Sequence, residues 1–178
     1  LRGSFRSSDE RLNRIWDVAQ YTLHLNTREF FLDGIKRDRW VWGGDAYQSC
    51  LMNYYTFFDP AVCRRTLILL AGKAPYDNHV NHIPDYTFYW FITLYDYYLY
   101  TGDLDFVRKC FSRAEALMAL CLSRRNEQGY LIGKGLDWLF IDWADMDKFG
   151  VLGAEQVLFL KSLEIMETLS SLTGLGDS

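Results

Sequence analysis

The chain has 178 residues, 49% hydrophobic and 24% charged, the proportions of one folded globular domain. Its net charge of −4, with Lys and Arg scattered along the sequence, excludes the basic stripe of a nucleic-acid binder. No apolar run approaches the ~18 residues of a membrane-spanning helix, so no membrane span is expected.

The first predicted helix opens at Ser7-Ser8-Asp9-Glu10, which has the form of a capping box with Ser7 as N-cap and Glu10 three residues on. Leu12, Ile15, Trp16, Ala19 and Leu23 recur at helical spacing and form the expected core face, with an end near Arg28. Residues 30–44 have no clean period and read as a loop. A second helix is predicted over 45–57. Asp59-Pro60 then gives an N-cap with proline at the first helical position, and the third helix closes near Gly72. Residues 75–84 read as a loop containing His79 and His82. A fourth helix spans 86–101 and stops at Gly102, whose freedom at positive φ suits a left-handed cap. Residues 104–125 form one long helix or a short one followed by a long one. A turn at 126–129 leads into a second long loop, 130–150, rich in Trp and Asp. The last helix runs over 153–173 with Gly174 as its cap.

This is an all-α chain of six or seven helices in antiparallel hairpins, with short turns alternating with long loops. If the hairpins stack in a ring, the long loops open at one end and make the natural site. Aromatic residues reach 17%, more ring area than a small helical core needs, so some rings are expected to line a groove. Cys50, Cys63, Cys110 and Cys121 contain no Cys-x-x-Cys pair and are expected to be buried free thiols. His79 and His82 lack a third ligand nearby, so neither metal nor cofactor is expected.

The segment Asp33-Gly34-Ile35-Lys36-Arg37-Asp38-Arg39-Trp40-Val41-Trp42-Gly43-Gly44-Asp45 carries three carboxylates, two Arg, one Lys and two Trp directly before a helix. Asp45 falls at the predicted helix start, where capping alone is an equally good reason for it. Sugar chemistry needs this mix: one carboxyl donates a proton to the leaving oxygen and another activates water or attacks the anomeric carbon. Further carboxylates and Arg bind hydroxyls, and a flat ring packs on the sugar's apolar face.

The order Asp33-x-x-x-Arg37-Asp38, then Trp42-Gly43, then Asp45, resembles the motif of family 78 α-L-rhamnosidases. Weaker similarity covers Phe5 to Asn26, His82-Ile83-Pro84-Asp85 through Gly102-Asp103, and Leu136-Asp137-Trp138, so the resemblance spans nearly the whole chain. It implies an (α/α)6 toroid, of which residues 1–178 are the N-terminal half, and an inverting hydrolase that removes terminal α-L-rhamnose from glycosides or polysaccharides. By that resemblance Asp38 takes the general-acid position, and Asp33 and Asp45 bind rhamnose hydroxyls with Arg37 beside them. Trp42, Trp90 and Trp138 are implied for a ring-lined pocket, with Asp137 and Asp142 for its polar part. The family's acid is commonly Glu, and the shorter Asp38 stands at that position here. The family's general base is a distant Glu beyond this chain. Glu155 and Glu164 read as ordinary solvent-facing helix residues.

The chain is therefore expected to be a fragment, inactive alone, and periplasmic or extracellular by analogy. Uncovered helix faces would make it self-associate. Two other readings stay open: a different toroid enzyme acting on sugars, such as a phosphorylase, and a non-catalytic helical-repeat protein with an aromatic groove.

Overall fold

The computed structural model describes residues 3–176. Six α-helices follow one another: α1 (Glu10–Asn26), α2 (Gly43–Tyr55), α3 (Pro60–Ala71), α4 (Pro84–Thr101), α5 (Leu104–Ser123) and α6 (Gly153–Thr173). A 3-10 turn, Val80–His82, precedes α4. The described residues form no strand, only the isolated bridges Thr27 to Phe31 and Arg125 to Leu131. No described helix is long and apolar enough to cross a membrane. All four cysteines are buried and free.

Local chemistry sets most boundaries. Asp59 accepts the Ala61 and Val62 N–H groups while Pro60 occupies the first helical position of α3. The buried Asn53 amide bridges the preceding turn, donating to the Asp59 carbonyl and accepting the Asp59 N–H. Gly102 and Gly174 adopt left-handed conformations behind α4 and α6. Residues 104–123 form one helix. Its N-cap, Asp103, accepts the Phe106 N–H and also binds Tyr97 Oη and Arg64, tying α3, α4 and α5 together.

Three expectations change. The N-cap of α1 is Asp9, which accepts the Arg11 N–H, while Ser7 turns back onto the Asp9 backbone and Asn13. The capping box does not form because a carboxylate two residues later competes better for the free N–H groups. The core face of α1 is also only partly as expected: Leu23 is buried and Trp16 half-buried, but Leu12 and Ile15 are 47% and 63% exposed, and Asn13 is buried instead. Finally, α2 and α4 each begin two residues early, at Gly43 and Pro84, on N-caps (Trp42 and Ile83) that make no side-chain capping bond.

Helix α4 is the hub of the packing, in contact with α2, α3, α5 and α6. Phe88, Phe91, Leu94 and Tyr97 fill the core from it, against Leu67 of α3, Val107 and Leu117 of α5, and Ile165 and Leu169 of α6. Gly43 and Gly44 permit its closest neighbour: a Cβ on either would stand within 2.9 Å of Tyr86 side-chain atoms. Short links join α2 to α3 and α4 to α5. The long ones (residues 27–42, 72–83 and 124–152) meet one another through backbone and side-chain hydrogen bonds.

Candidate active site

The long loops enclose a cavity of about 490 Å³, within the usual size of small-molecule sites. Asp33, Arg37, Asp38 and Asp45 form its polar wall. Trp42, Tyr86, Trp138, Phe140 and Trp143 form an aromatic wall, with Ile83 between. Two segments far apart in sequence thus line one space.

The polar wall is shaped by a closed loop. The Asp33 N–H donates to the Trp40 carbonyl at 3.0 Å, and Asp33 Oδ1 accepts the Trp40 N–H at 2.9 Å. Asp38, inside that loop, has Oδ2 held at 3.1 Å by the indole N–H of Trp42. Asp45 lies in the first turn of α2, where the helix N-terminus favours a carboxylate. It is not the N-cap. Partial enclosure raises its pKa, its own backbone N–H opposes that, and the charges of Asp33 and Asp38 add to the rise.

The aromatic wall is a chain of edge contacts. Trp42 meets Tyr86 with ring centroids 6.4 Å apart, and Tyr86 meets Phe140 at 5.8 Å. Phe140 packs against both Trp138 and Trp143, at 5.3 and 5.1 Å. Tyr86, Phe140 and Trp143 are absent from the sequence-based set. Lys148 stands 5.6 Å from the centroid of the Phe140 ring. An adjoining cleft of about 360 Å³ shares Asp45, Tyr86 and Phe140 and adds Asp85 and Asp142. Asp85 is nearly fully buried, and burial pushes its pKa up to about 6.

Three residues expected in the pocket, or on the surface, stand elsewhere. Trp90 is 1% exposed in the core, and its indole N–H donates to the Leu67 carbonyl at 2.9 Å. Trp90→Phe should cost about 1–3 kcal/mol of stability, through a vacated volume and the lost indole hydrogen bond to that carbonyl, and leave binding in the cavity unchanged. Thermal melting beside a binding titration checks both. Asp137 does not line the pocket: its carboxylate is 2% exposed, lies 3.2 Å from Arg124 Nε and accepts the Lys134 N–H. Glu155 is buried on the first turn of α6 and does not face solvent, whereas Glu164 does, paired with Lys161. The environments of His79 and His82 also differ. The His79 ring is buried against Thr87, and its pKa falls to about 4 chiefly through burial, while His82 is exposed. Among the described residues no group of three His, Cys, Asp or Glu converges on a point that could hold a metal.

Helices joined alternately by short turns and long loops, with carboxylates and aromatic rings lining a cavity among the long loops, define an all-α helical-hairpin domain. A family profile described as the bacterial alpha-L-rhamnosidase 6 hairpin glycosidase domain matches residues 2–177, and the chain belongs to that family. Among solved structures it is similar to a GH78 family rhamnosidase of Bacillus sp. GL1, with a TM-score of 0.86 and 26% identity, covering 97% of this chain and 19% of that one. It is also similar to a rhamnosidase from Klebsiella oxytoca with rhamnose bound, with a TM-score of 0.78 and 30% identity, covering 93% of this chain and 34% of that one. The chain thus spans a minor part of both relatives. A search of curated proteins finds no match.

Proposed function

We propose that this chain supplies the sugar-binding and proton-donating part of an inverting α-L-rhamnosidase that removes terminal α-L-rhamnose from glycosides or polysaccharides. The observation that carries the reading is the cavity in which Asp33, Arg37, Asp38 and Asp45 face the tryptophan-rich wall. The charged side fits sugar hydroxyls. The aromatic side offers an apolar surface to the ring face and to the methyl group of a 6-deoxy sugar. Asp38 is the general acid in this reading, its carboxyl aimed by the Trp42 indole. Asp33 and Asp45 hold hydroxyls with Arg37 beside them. Trp138 supplies ring surface, and Asp142 borders the adjoining cleft.

An inverting hydrolase needs a second carboxylate to activate water on the opposite face of the sugar. In this reading that base lies in a part of the catalytic domain outside these residues, so the 178-residue chain alone should bind without turnover. Residues 1–178 then stand as half of a helical ring. Exposed apolar side chains on the outer helices, such as Ile15 and Tyr21 of α1 and Val157 and Leu160 of α6, are where further helices or a second copy would pack.

The test of the binding assignment is Asp33→Asn in the intact polypeptide. Asn keeps an acceptor for the Trp40 N–H and removes the charge. A rise in KM for an aryl α-L-rhamnoside of roughly 10-fold or more is expected, the loss of a hydrogen bond to a charged group, with a smaller change in kcat. An unchanged KM would remove Asp33 from the sugar site.

A further inference from the structure

The cavity is lined from two long loops, 27–42 and 124–152, and from the first turns of α2 and α4, and the short 3-10 turn Val80–His82 bonds to both loops. Asn81 sits in it at φ 52, ψ 22, a left-handed conformation that Asn tolerates better than most residues. Its side chain is used twice, once on each side of Trp42. Asn81 Oδ1 accepts the Gly43 N–H at 2.9 Å, and Nδ2 donates to the Val41 carbonyl at 3.2 Å. The orientation of the amide is fixed by these partners, since only oxygen can accept from an N–H and only the NH2 can donate to a carbonyl.

The next residue reaches the other wall: the His82 carbonyl accepts the Trp138 N–H at 2.8 Å. The turn is itself anchored to the core. Thr87 Oγ1 of α4 accepts the Val80 N–H at 2.8 Å and lies 3.0 Å from His79 Nδ1. The other ring nitrogen of His79 stands 4.0 Å from the Asp137 carboxylate, next to Trp138 in the chain. Core, polar wall and aromatic wall therefore converge on three consecutive residues.

We infer that Asn81 is a positioning residue that fixes the polar wall of the sugar cavity against the aromatic wall, and through the backbone around Trp42 aims the candidate acid Asp38. The relay is continuous: Asn81 holds Val41 and Gly43, these hold Trp42 between them, and the Trp42 indole holds Asp38 Oδ2 at 3.1 Å. Asn81 touches no reacting atom in this scheme. The role of Asp38 rests on the rhamnosidase reading, whereas the clamp rests on geometry alone.

Two variants separate side chain from backbone. Asn81→Gly keeps the left-handed backbone at no steric cost and Asn81→Ala strains it, but both delete the clamp. In both, hydrogen exchange at the Gly43 amide should quicken by about tenfold or more, because its partner is gone, while the core amides of α5 and α6 keep their protection. In the intact polypeptide both variants should lose about tenfold in kcat on an alkyl α-L-rhamnoside, whose leaving group needs protonation. On a dinitrophenyl α-L-rhamnoside, whose leaving group does not, they should stay within about twofold of the parent. Unchanged exchange at Gly43 in both variants overturns the clamp. Equal losses on the two substrates overturn the relay to Asp38. If the parent hydrolyses neither substrate, the rhamnosidase reading fails, and the exchange measurement still decides the clamp.

Discussion

Asp38→Asn in the intact polypeptide is expected to lower kcat on a glycoside with a poor leaving group by roughly 10²–10⁴-fold, the usual worth of a positioned general acid. The amide is nearly isosteric and can still accept from the Trp42 indole through its oxygen, so the site geometry survives while the transferable proton is lost. KM should change little, because in the proposed reading binding is assigned to Asp33, Asp45, Arg37 and the rings. The comparison that gives this result its meaning is Asp45→Asn. Asp45 also lines the cavity, and its pKa is raised by partial enclosure and by the nearby charges of Asp33 and Asp38. If the Asp45 variant loses turnover on poor leaving groups and the Asp38 variant only weakens binding, the two roles are exchanged. Loss of kcat from Asp38→Asn, with a KM effect from Asp45→Asn, supports the assignment as proposed.

The second large effect concerns stability. Glu155 is 1% exposed, and neither carboxyl oxygen has a hydrogen-bond partner among the described residues. Burial, with a smaller contribution from the negative charge of Asp85, pushes its pKa up to about 8 from an ordinary 4.5. The folded state therefore holds this proton more tightly than the unfolded chain does. Below about pH 4.5 both states are protonated and Glu155 costs nothing on this account. As pH rises from there towards 8, the unfolded chain releases the proton first and folding stability falls. Above about 8 the full penalty remains, roughly 2–5 kcal/mol. Glu155→Gln keeps the shape without the charge. Its melting temperature should match the parent near pH 4.5 and exceed it at pH 8.5 by on the order of 10 °C. Taking the difference between the two proteins cancels the titrations of Asp85 and His79, which are common to both. Equal melting at pH 8.5 would mean that the carboxylate finds a counter-charge.

The helices were legible where their end signals are local. Asp59-Pro60, Gly102 and Gly174 act through hydrogen bonds and backbone freedom within a turn of themselves, and α3, the end of α4 and α6 fall where the sequence places them. The start of α2 was not legible. Trp42 makes no side-chain cap, and Gly43-Gly44 read as loop; their place in a helix depends on the close approach of Tyr86, a contact across some forty positions of sequence. The site divides in the same way. Asp33, Arg37, Asp38, Trp42 and Asp45 are contiguous, and their mixture of charge and rings is visible without a fold. Tyr86, Phe140 and Trp143 join them only through tertiary packing, although the Trp- and Asp-rich character of residues 130–150 marks the loop that brings two of them. Trp90, Asp137 and Glu155 carry the chemistry of site or surface residues, but tertiary packing buries them: Trp90 bonds to Leu67 of α3, the Asp137 carboxylate pairs with Arg124, and Glu155 is 1% exposed. Helical period placed Leu23 of α1 inward correctly but not Leu12 and Ile15, and it missed Asn13, whose buried amide is bound to both the N–H and the carbonyl of Ser7.

An inverting α-L-rhamnosidase, as proposed here, releases its sugar with inverted configuration at the anomeric carbon. The most direct test is to follow the sugar released from an aryl α-L-rhamnoside by the intact polypeptide with proton NMR during the first minutes of reaction. β-L-rhamnose is expected to appear first and to mutarotate afterwards. First appearance of the α-anomer would contradict inversion, and no release by a folded protein would contradict the substrate itself.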